Sequence, residues 1–378
     1  MTALEPTSEK TTEFGVFLPV GNGGWITSTT SPQLPGTYAY NREVTLLAEE
    51  LGLDFALSMA KWRGYGGESK HWDVTLESLS MTAALAEATS RIKVWATVHT
   101  MVFHPAVVAK MSAVIDQVSG GRFGLNLVAG SNPWDQGQFG LWNDLDHAER
   151  YELAEEWITV ARRLWTEDRV DFAGKHFTLD DCVSDPKPAV QPPIICAGGS
   201  DTGFRFTVEN CAGSLLMGGD GERHIALARR AKEIAAEAGK DAFKTYGLFT
   251  LVPGATDAEA AERVAAYNAG VDLVALERQA FEYSTDVKAQ GKNTSAKNFM
   301  DAKTDAVAVS ASALVGSPET IARRLAHAVT EGRLDGVTII VPDFIDDLRT
   351  VGEQIVPLLA EFGVPTNAAR VATAAVPA

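Results

Sequence analysis

An asparagine stands inside an otherwise apolar run, Phe123-Gly124-Leu125-Asn126-Leu127-Val128, whose length and composition are those of a buried strand. A buried amide costs on the order of 1–3 kcal/mol unless partners are supplied, so a ligand's polar edge is a candidate partner for Asn126. Three other segments place polar or small residues directly after apolar β-like runs. Ala96-Thr97-Val98-His99 closes one of them with a threonine that is either a plain β-former or a hydroxyl donor. Ser58-Met59-Ala60-Lys61-Trp62-Arg63-Gly64 follows another and sets two cations beside an indole, or else a solvated charge pair beside a packed Trp. In Ala197-Gly198-Gly199-Ser200-Asp201-Thr202-Gly203 the small residues let the backbone approach a ligand, and the helix that follows presents free N–H groups to an anion. A tight strand-to-helix turn capped by Ser or Asp would read the same way. Arg150-Tyr151, at the start of the helix after the Asn126 strand, could bring a guanidinium to that anion.

Motifs that are missing remove whole classes of chemistry. The chain has no G-x-x-x-x-G-K-[ST] loop, no G-x-G-x-x-G after a strand and no G-x-S-x-G elbow. Its seven histidines form no metal-type cluster, so no metal is expected. Cys182, Cys196 and Cys211 lie far apart and are expected to be plain thiols in a reducing cytoplasm. With 49 acidic against 33 basic residues the net charge is −16, which disfavours nucleic acid and anionic membranes as partners. An anionic ligand would need local positive poles, and the Arg150 and Ser200 segments are where such poles occur.

These segments need a scaffold that gathers strand ends. Apolar runs at 14–20, 55–59, 92–97, 123–128, 193–197, 214–217, 246–252 and 336–341 alternate with helical patterns at 41–51, 77–89, 105–118, 149–165, 201–210, 222–238, 258–269, 318–330 and 344–362. Eight such units in one domain predict an α/β fold, a (β/α)8 TIM barrel, with its site at the C-terminal ends of the strands. Two insertions interrupt it, a hairpin near 170–179 around Ala173-Gly174-Lys175 and a polar, weakly periodic stretch near 271–313. Residues 1–378 are read as one domain, with 1–12 and 364–378 as flexible tails. The polar N-terminus does not have the pattern of a signal peptide, and no apolar run is long enough to span a bilayer, so a cytoplasmic setting is expected.

With these residues in view, the chain resembles the bacterial-luciferase-like flavin-dependent monooxygenases. The resemblance is strongest to the branch that contains pyrimidine monooxygenases and riboflavin lyases. It runs from Phe14 to about Pro357 through FGVFLPVGNGGW, FALSMAKWRGYGG, SGGRFGLNLVAG, DFAGKHFTLDDC, ICAGGSDTG and LVGSPETIARRL. The resemblance implies a TIM barrel that takes reduced FMN from a separate NAD(P)H-dependent flavin reductase and uses O2 in flavin-peroxide chemistry. It also implies a homo-oligomer. Matched position by position, Ala60 and Lys61 correspond to a flavin-contacting pair, and Thr97 and Asn126 to the catalytic polar groups at the flavin edge and oxygen pocket. Arg150, Tyr151 and Ser200 correspond to positions that hold the flavin tail and phosphate, with Gly198 and Gly199 beside them.

One loop departs from the pyrimidine pattern of Trp, Lys and Glu after strand four. Here it reads Gly130-Ser131-Asn132-Pro133-Trp134-Asp135-Gln136-Gly137, so Asp135 stands in for the acid and is counted among the cofactor-binding residues, the aromatic has moved and the lysine is missing. The departure favours an N-heterocycle other than uracil, and riboflavin, cleaved to lumichrome and a ribose-derived fragment, is the leading expectation. Pyrimidine (uracil or thymine) ring opening, deazaflavin-dependent hydride transfer and flavin binding without catalysis are the alternatives.

Overall fold

In the computed structural model, which describes residues 11–130, 133–141, 145–217, 221–284, 308–309 and 313–367, the apolar runs become parallel strands. In chain order these are β1 (Glu13–Phe17), β2 (Phe55–Ser58), β3 (Lys93–His99) and β4 (Phe123–Val128). The antiparallel hairpin β5 (Val170–Ala173) and β6 (Thr178–Cys182) follows. Then come β7 (Ile194–Cys196), β8 (Gly213–Leu216), β9 (Lys244–Pro253), β10 (Leu314–Gly316) and β11 (Gly336–Ile340). Leaving out the hairpin and β10, the order round the sheet is β1-β2-β3-β4-β7-β8-β9-β11, and β11 pairs back onto β1. This is the closed eight-stranded parallel barrel expected from the sequence. The short β10, which the sequence did not announce, extends the upper end of β9 at Leu251–Pro253.

The helices that cover the barrel begin where the chain supplies caps. They are α1 (Tyr38–Glu50), α2 (Ser78–Ala88), α3 (Pro105–Ser119), α4 (Pro133–Gln136), α5 (His147–Thr166), α6 (Asp201–Asn210), α7 (Gly221–Glu237), α8 (Asp257–Ala269), α9 (Leu273–Ser284) and α10 (Pro318–Gly332). Asp146 and Glu149 form a reciprocal capping box at the start of α5, and Ser200 caps α6 by accepting from the Gly203 amide at 3.1 Å.

Large side chains from a few strands fill the barrel's lower interior while glycines on other strands make room. The rings of Phe55, Trp95 and Tyr246 meet with centroids 5.3–5.6 Å apart. A methyl group on Gly15 would lie 2.2 Å from the Phe55 ring, and one on Gly336 would lie 2.5 Å from that of Tyr246. Below them the Glu13 carboxylate accepts from Lys93 at 2.9 Å, Lys244 at 3.0 Å and the Tyr246 hydroxyl at 2.7 Å. The bottom is therefore a packed plug, and chemistry is left to the other end.

Three expectations change. The stretch near 271–313 is not irregular throughout, because Leu273–Ser284 is helical; Ala308 and Val309 are buried, and the rest of that stretch lies outside the described residues. The helix read over 344–362 is three pieces, Asp346–Thr350, a π-helical turn Val351–Ile355, and Val356–Glu361. Pro357, with no amide to return to the preceding turn, sits where the ladder changes register. The tails read as flexible are anchored at their inner ends. The Thr12 amide donates to Pro365 O at 2.8 Å, Asn367 donates to Asp54 at 2.7 Å, and Val364 and Thr366 are buried.

Candidate active site

The inward faces of β3 and β4 rise in register from the aromatic plug to the barrel mouth. Trp95 is paired with Gly124, Thr97 with Asn126 and His99 with Val128. Strand residues two apart share a face, so Thr97 and His99 stand above Trp95 on the same side. Asn126 Nδ2 donates to Thr97 Oγ1 at 3.1 Å, and both residues are almost wholly buried. Thr97 is fixed from behind by its amide, which donates to Ser78 Oγ at 2.9 Å. The other end of the amide, Asn126 Oδ1, is buried and has no partner among the described residues. The structure thus brings Thr97 and Asn126 together, with one acceptor of the amide unpaired among the described residues.

Lys61, expected in the flavin-contacting pair, is held by protein groups. Its ammonium donates to both carboxylate oxygens of Glu282, at 2.8 and 2.7 Å, lies 3.5 Å from Asp135 Oδ1, and sits 4.4 Å from the centroid of the Tyr65 ring. Asp135, also expected at the cofactor, accepts from the amides of Trp62 and Arg63 at 2.9 and 2.8 Å. These two residues, both expected at the cofactor, also fasten α4 to the loop after β2. Ala60, half-buried just past β2, remains at the mouth. Burial pushes the Glu282 carboxyl up, the Lys61 charge and hydrogen bond and the Tyr65 hydroxyl oppose this, and Asp135 adds to the rise.

Glu282 was not legible because α9 is built inside out. Its buried positions include Ala275, Gln279 and Glu282, spaced as one helix face, while Leu273, Val274 and Phe281 are exposed. The buried face is stitched to the loops after β1 and β2. Gln279 Nε2 donates to Thr27 Oγ1 at 3.1 Å, Arg278 to Tyr65 O at 2.8 Å, and Asp272 accepts from the Ser69 amide and hydroxyl at 2.7 Å each. The signal available in the sequence was the polar spacing Asp272, Gln279, Glu282, which a search for apolar stripes passes over. Apolar walls complete the mouth: Trp62 packs against Phe103 and Phe139 at 5.9 and 5.4 Å, and Arg63 lies 3.8 Å over Trp134, the displaced aromatic of the β4 loop.

The third group is a candidate anion site on the next strand. After β7, buried Gly198 passes so close to Gly203 that a methyl group there would stand 3.0 Å from its backbone. Ser200 Oγ caps α6, and the Tyr151 hydroxyl bonds to Ser200. A Cβ on Gly203 would lie 2.6 Å from that hydroxyl, so the small residues are needed for this approach. Burial, then the neighbouring Cys196 thiol, pushes the Tyr151 hydroxyl up, which keeps it neutral. Arg150 is buried alongside, one guanidinium nitrogen donating to Leu145 O at 3.4 Å. Gly199 is half-buried between Gly198 and Ser200. Arg150, Tyr151, Ser200 and the first turn of α6 form a set suited to a phosphate. The candidate residues of the barrel wall thus lie at the C-terminal ends of four consecutive strands, β2, β3, β4 and β7.

Burial pushes the Cys196 thiol up to about 12, so it remains protonated. The three cysteines are unpaired with one another. No helix among the described residues is long and apolar enough to cross a membrane.

Comparison with known proteins gives the same picture. The profile of the family described as luciferase-like monooxygenase matches residues 12–335. Pyrimidine monooxygenase RutA of Acinetobacter baylyi is 37% identical over 351 residues, covering 92% of this chain and 94% of that protein. Its namesake of Escherichia coli is 38% identical over 351 residues, covering 92% and 96%. Among solved structures, a riboflavin lyase crystallised with modified FMN and riboflavin superposes with a TM-score of 0.80 over 96% of both chains, at 21% identity, which is a likeness of fold.

Proposed function

We propose, from the premise that the chain belongs to the luciferase-like monooxygenase family, that it uses reduced FMN and O2 to open the ring of a small cyclic amide of the pyrimidine type. Monooxygenase activity with reduced flavin is the family's own chemistry; the choice of FMN and of substrate is the proposal. In a monooxygenation one oxygen atom enters the substrate and the other leaves as water, with two electrons drawn from the reduced flavin.

The observation that carries the reading is Asn126, whose Oδ1 is buried without a partner among the described residues while its Nδ2 donates to Thr97. An acceptor left unpaired in a dry strand layer is strongly disfavoured unless a ligand supplies an N–H. The residues present fit a flavin with a phosphate tail. Thr97 and Asn126 would face its ring edge, and Arg150, Tyr151, Ser200 and the start of α6 would hold its phosphate. Bound there, the reduced cofactor would supply electrons and activate oxygen. The chain's part is to orient the ring, offer fixed dipoles and keep bulk water out behind Trp62, Phe103 and Phe139.

Riboflavin, the leading expectation from the sequence, becomes the second reading. Identity of 37–38% with proteins named pyrimidine monooxygenases supports the pyrimidine class, whereas the riboflavin lyase shares only the fold. The lysine missing from the β4 loop has a counterpart in space, because Lys61 reaches Asp135 of that loop. A cytoplasmic setting, a homo-oligomer and a transient NAD(P)H-dependent flavin reductase belong to the same proposal.

Its test is incubation of the protein with FMN, a flavin reductase and O2, offering uracil beside riboflavin and following both by mass spectrometry. Oxygen-dependent loss of uracil is expected. Loss of riboflavin alone would replace the substrate, and turnover without oxygen would move the chain to hydride transfer. Asn126→Ala should bind FMN within about threefold of wild type and lose roughly a hundredfold in turnover, the scale for one preorganised dipole.

A further inference from the structure

We propose that His99 reads the substrate: its imidazole, next above the Thr97–Asn126 pair, makes one hydrogen bond through Nδ1 to the polar edge of a neutral cyclic imide. This deepens the preceding reading and rests on it.

Placement comes first. His99 ends β3 on the same face as Trp95 and Thr97, so at 3.3 Å per residue it stands about 6.6 Å nearer the mouth than Thr97. Its strand neighbour is Val128, which offers no hydrogen bond from its side chain. The residue is 8% exposed, and its Nδ1 is buried with no partner among the described residues. Other unpaired polar atoms belong to the elements around it: Asn126 Oδ1 on the adjacent strand, Trp62 Nε1 after β2 and Gln136 Oε1 at the end of α4. Unpartnered buried atoms occur elsewhere in the barrel too, but these four belong to strands and loops at the same end, where a ligand can supply their partners.

The chemistry narrows the ligand. Burial lowers the imidazole to about 4, with Asp135 opposing and Lys61 assisting, so His99 is neutral at physiological pH. A neutral imidazole carries one donor and one acceptor nitrogen that point away from each other, so Nδ1 meets a single N–H or C=O of an uncharged ring. The nearby ionic group, one lysine against the carboxylates of Asp135 and Glu282, is net negative and selects against an anionic substrate. A flat, uncharged ring with an imide edge meets each condition.

Substitution by leucine and glutamine tests this, with uracil, 1-methyluracil and 3-methyluracil as substrates. For His99→Leu we expect kcat/KM for uracil to fall at least tenfold, mainly through KM, with FMN affinity within threefold of wild type. Wild type should reject one of the two methylated rings at least tenfold, and that ratio should fall towards one in His99→Leu. His99→Gln, which keeps a donor and an acceptor, should restore most of it. Wild type labelled with 13C-histidine gives an independent answer if the leucine variant fails to fold. Uracil added to the FMN-loaded protein should shift the one histidine signal that is missing from His99→Gln. An active wild type whose His99→Leu variant keeps both kcat/KM and the discrimination, or whose His99 signal ignores saturating uracil, overturns the assignment alone. A wild type that neither binds nor oxidises uracil removes the pyrimidine reading and this assignment together.

Discussion

The Lys61–Glu282 pair joins groups 221 residues apart, and its removal has a calculable asymmetry. Charges 2.7 Å apart attract by roughly 6 kcal/mol gross at an effective dielectric of about 20, most of which desolvating two ions cancels. Taking out one partner of a buried pair is different, since the other is left buried without compensation at about 3–5 kcal/mol. Lys61→Met leaves the carboxylates of Glu282 and Asp135 without this cation and should lie in that range. Glu282→Gln leaves Lys61 with Asp135 at 3.5 Å, so about 1–2 kcal/mol is expected. In the double variant Lys61→Met/Glu282→Gln the loss should fall short of the sum of the singles by about 2 kcal/mol. The pH dependence follows from the raised Glu282 carboxyl. A carboxyl titrating higher in the folded state than in the unfolded chain binds more protons when folded, so stability falls as pH rises through that interval. Without Lys61 the carboxyl rises further, and the cost of Lys61→Met should grow from pH 5 to pH 7.5. Urea unfolding followed by tryptophan fluorescence, with slopes checked for constancy, gives the cycle. A coupling below about 0.5 kcal/mol, or a lysine variant no worse than the glutamine variant, would refute the account.

Two further outcomes follow from other parts of the site. Ser200→Ala removes the cap on the Gly203 amide and should cost about 1 kcal/mol while weakening FMN roughly tenfold by fluorescence titration; unchanged affinity would take Ser200 out of the phosphate site. The lowered His99 imidazole, about 4 against 6.5 for the ordinary group, makes the unfolded chain bind the extra proton between those values. Its contribution is full above about 6.5 and is lost as pH falls towards 4, roughly 3 kcal/mol in all at 1.36 kcal/mol per pH unit. The stability of wild type relative to His99→Gln, from urea unfolding, should therefore fall by roughly 2–3 kcal/mol between pH 7 and pH 4.5.

The barrel was readable because its strands are buried on both faces and so appear as continuous apolar runs, and because its helices carry the apolar stripe that packs on the sheet. All eight barrel strands fall where those runs lie. The rule fails where burial and polarity go together. α9 has its polar side inward and Leu273, Val274 and Phe281 outward, so an apolar-stripe reading finds no helix there. The C-terminal helix fails for a local reason, since Pro357 is compatible with a first turn but not with an unbroken ladder through 344–362.

The site was legible in the same divided way. Asn126 could be found from one sequence window because a polar residue in an apolar strand is anomalous by itself. Lys61 and Asp135 could be located but their partners could not, since the carboxylate that takes up the ammonium arrives on a helix more than two hundred residues away and Asp135 is bound by backbone amides. Those two ionic groups hold the loops of the mouth in place. The groups without a hydrogen-bond partner among the described residues, Asn126 Oδ1 and His99 Nδ1, stand on barrel strands. A barrel enzyme that needs a fixed geometry for its ligand and variable loops around it is served by that separation: ions fasten the loops, and neutral polar atoms on the strands are left to meet the proposed substrate.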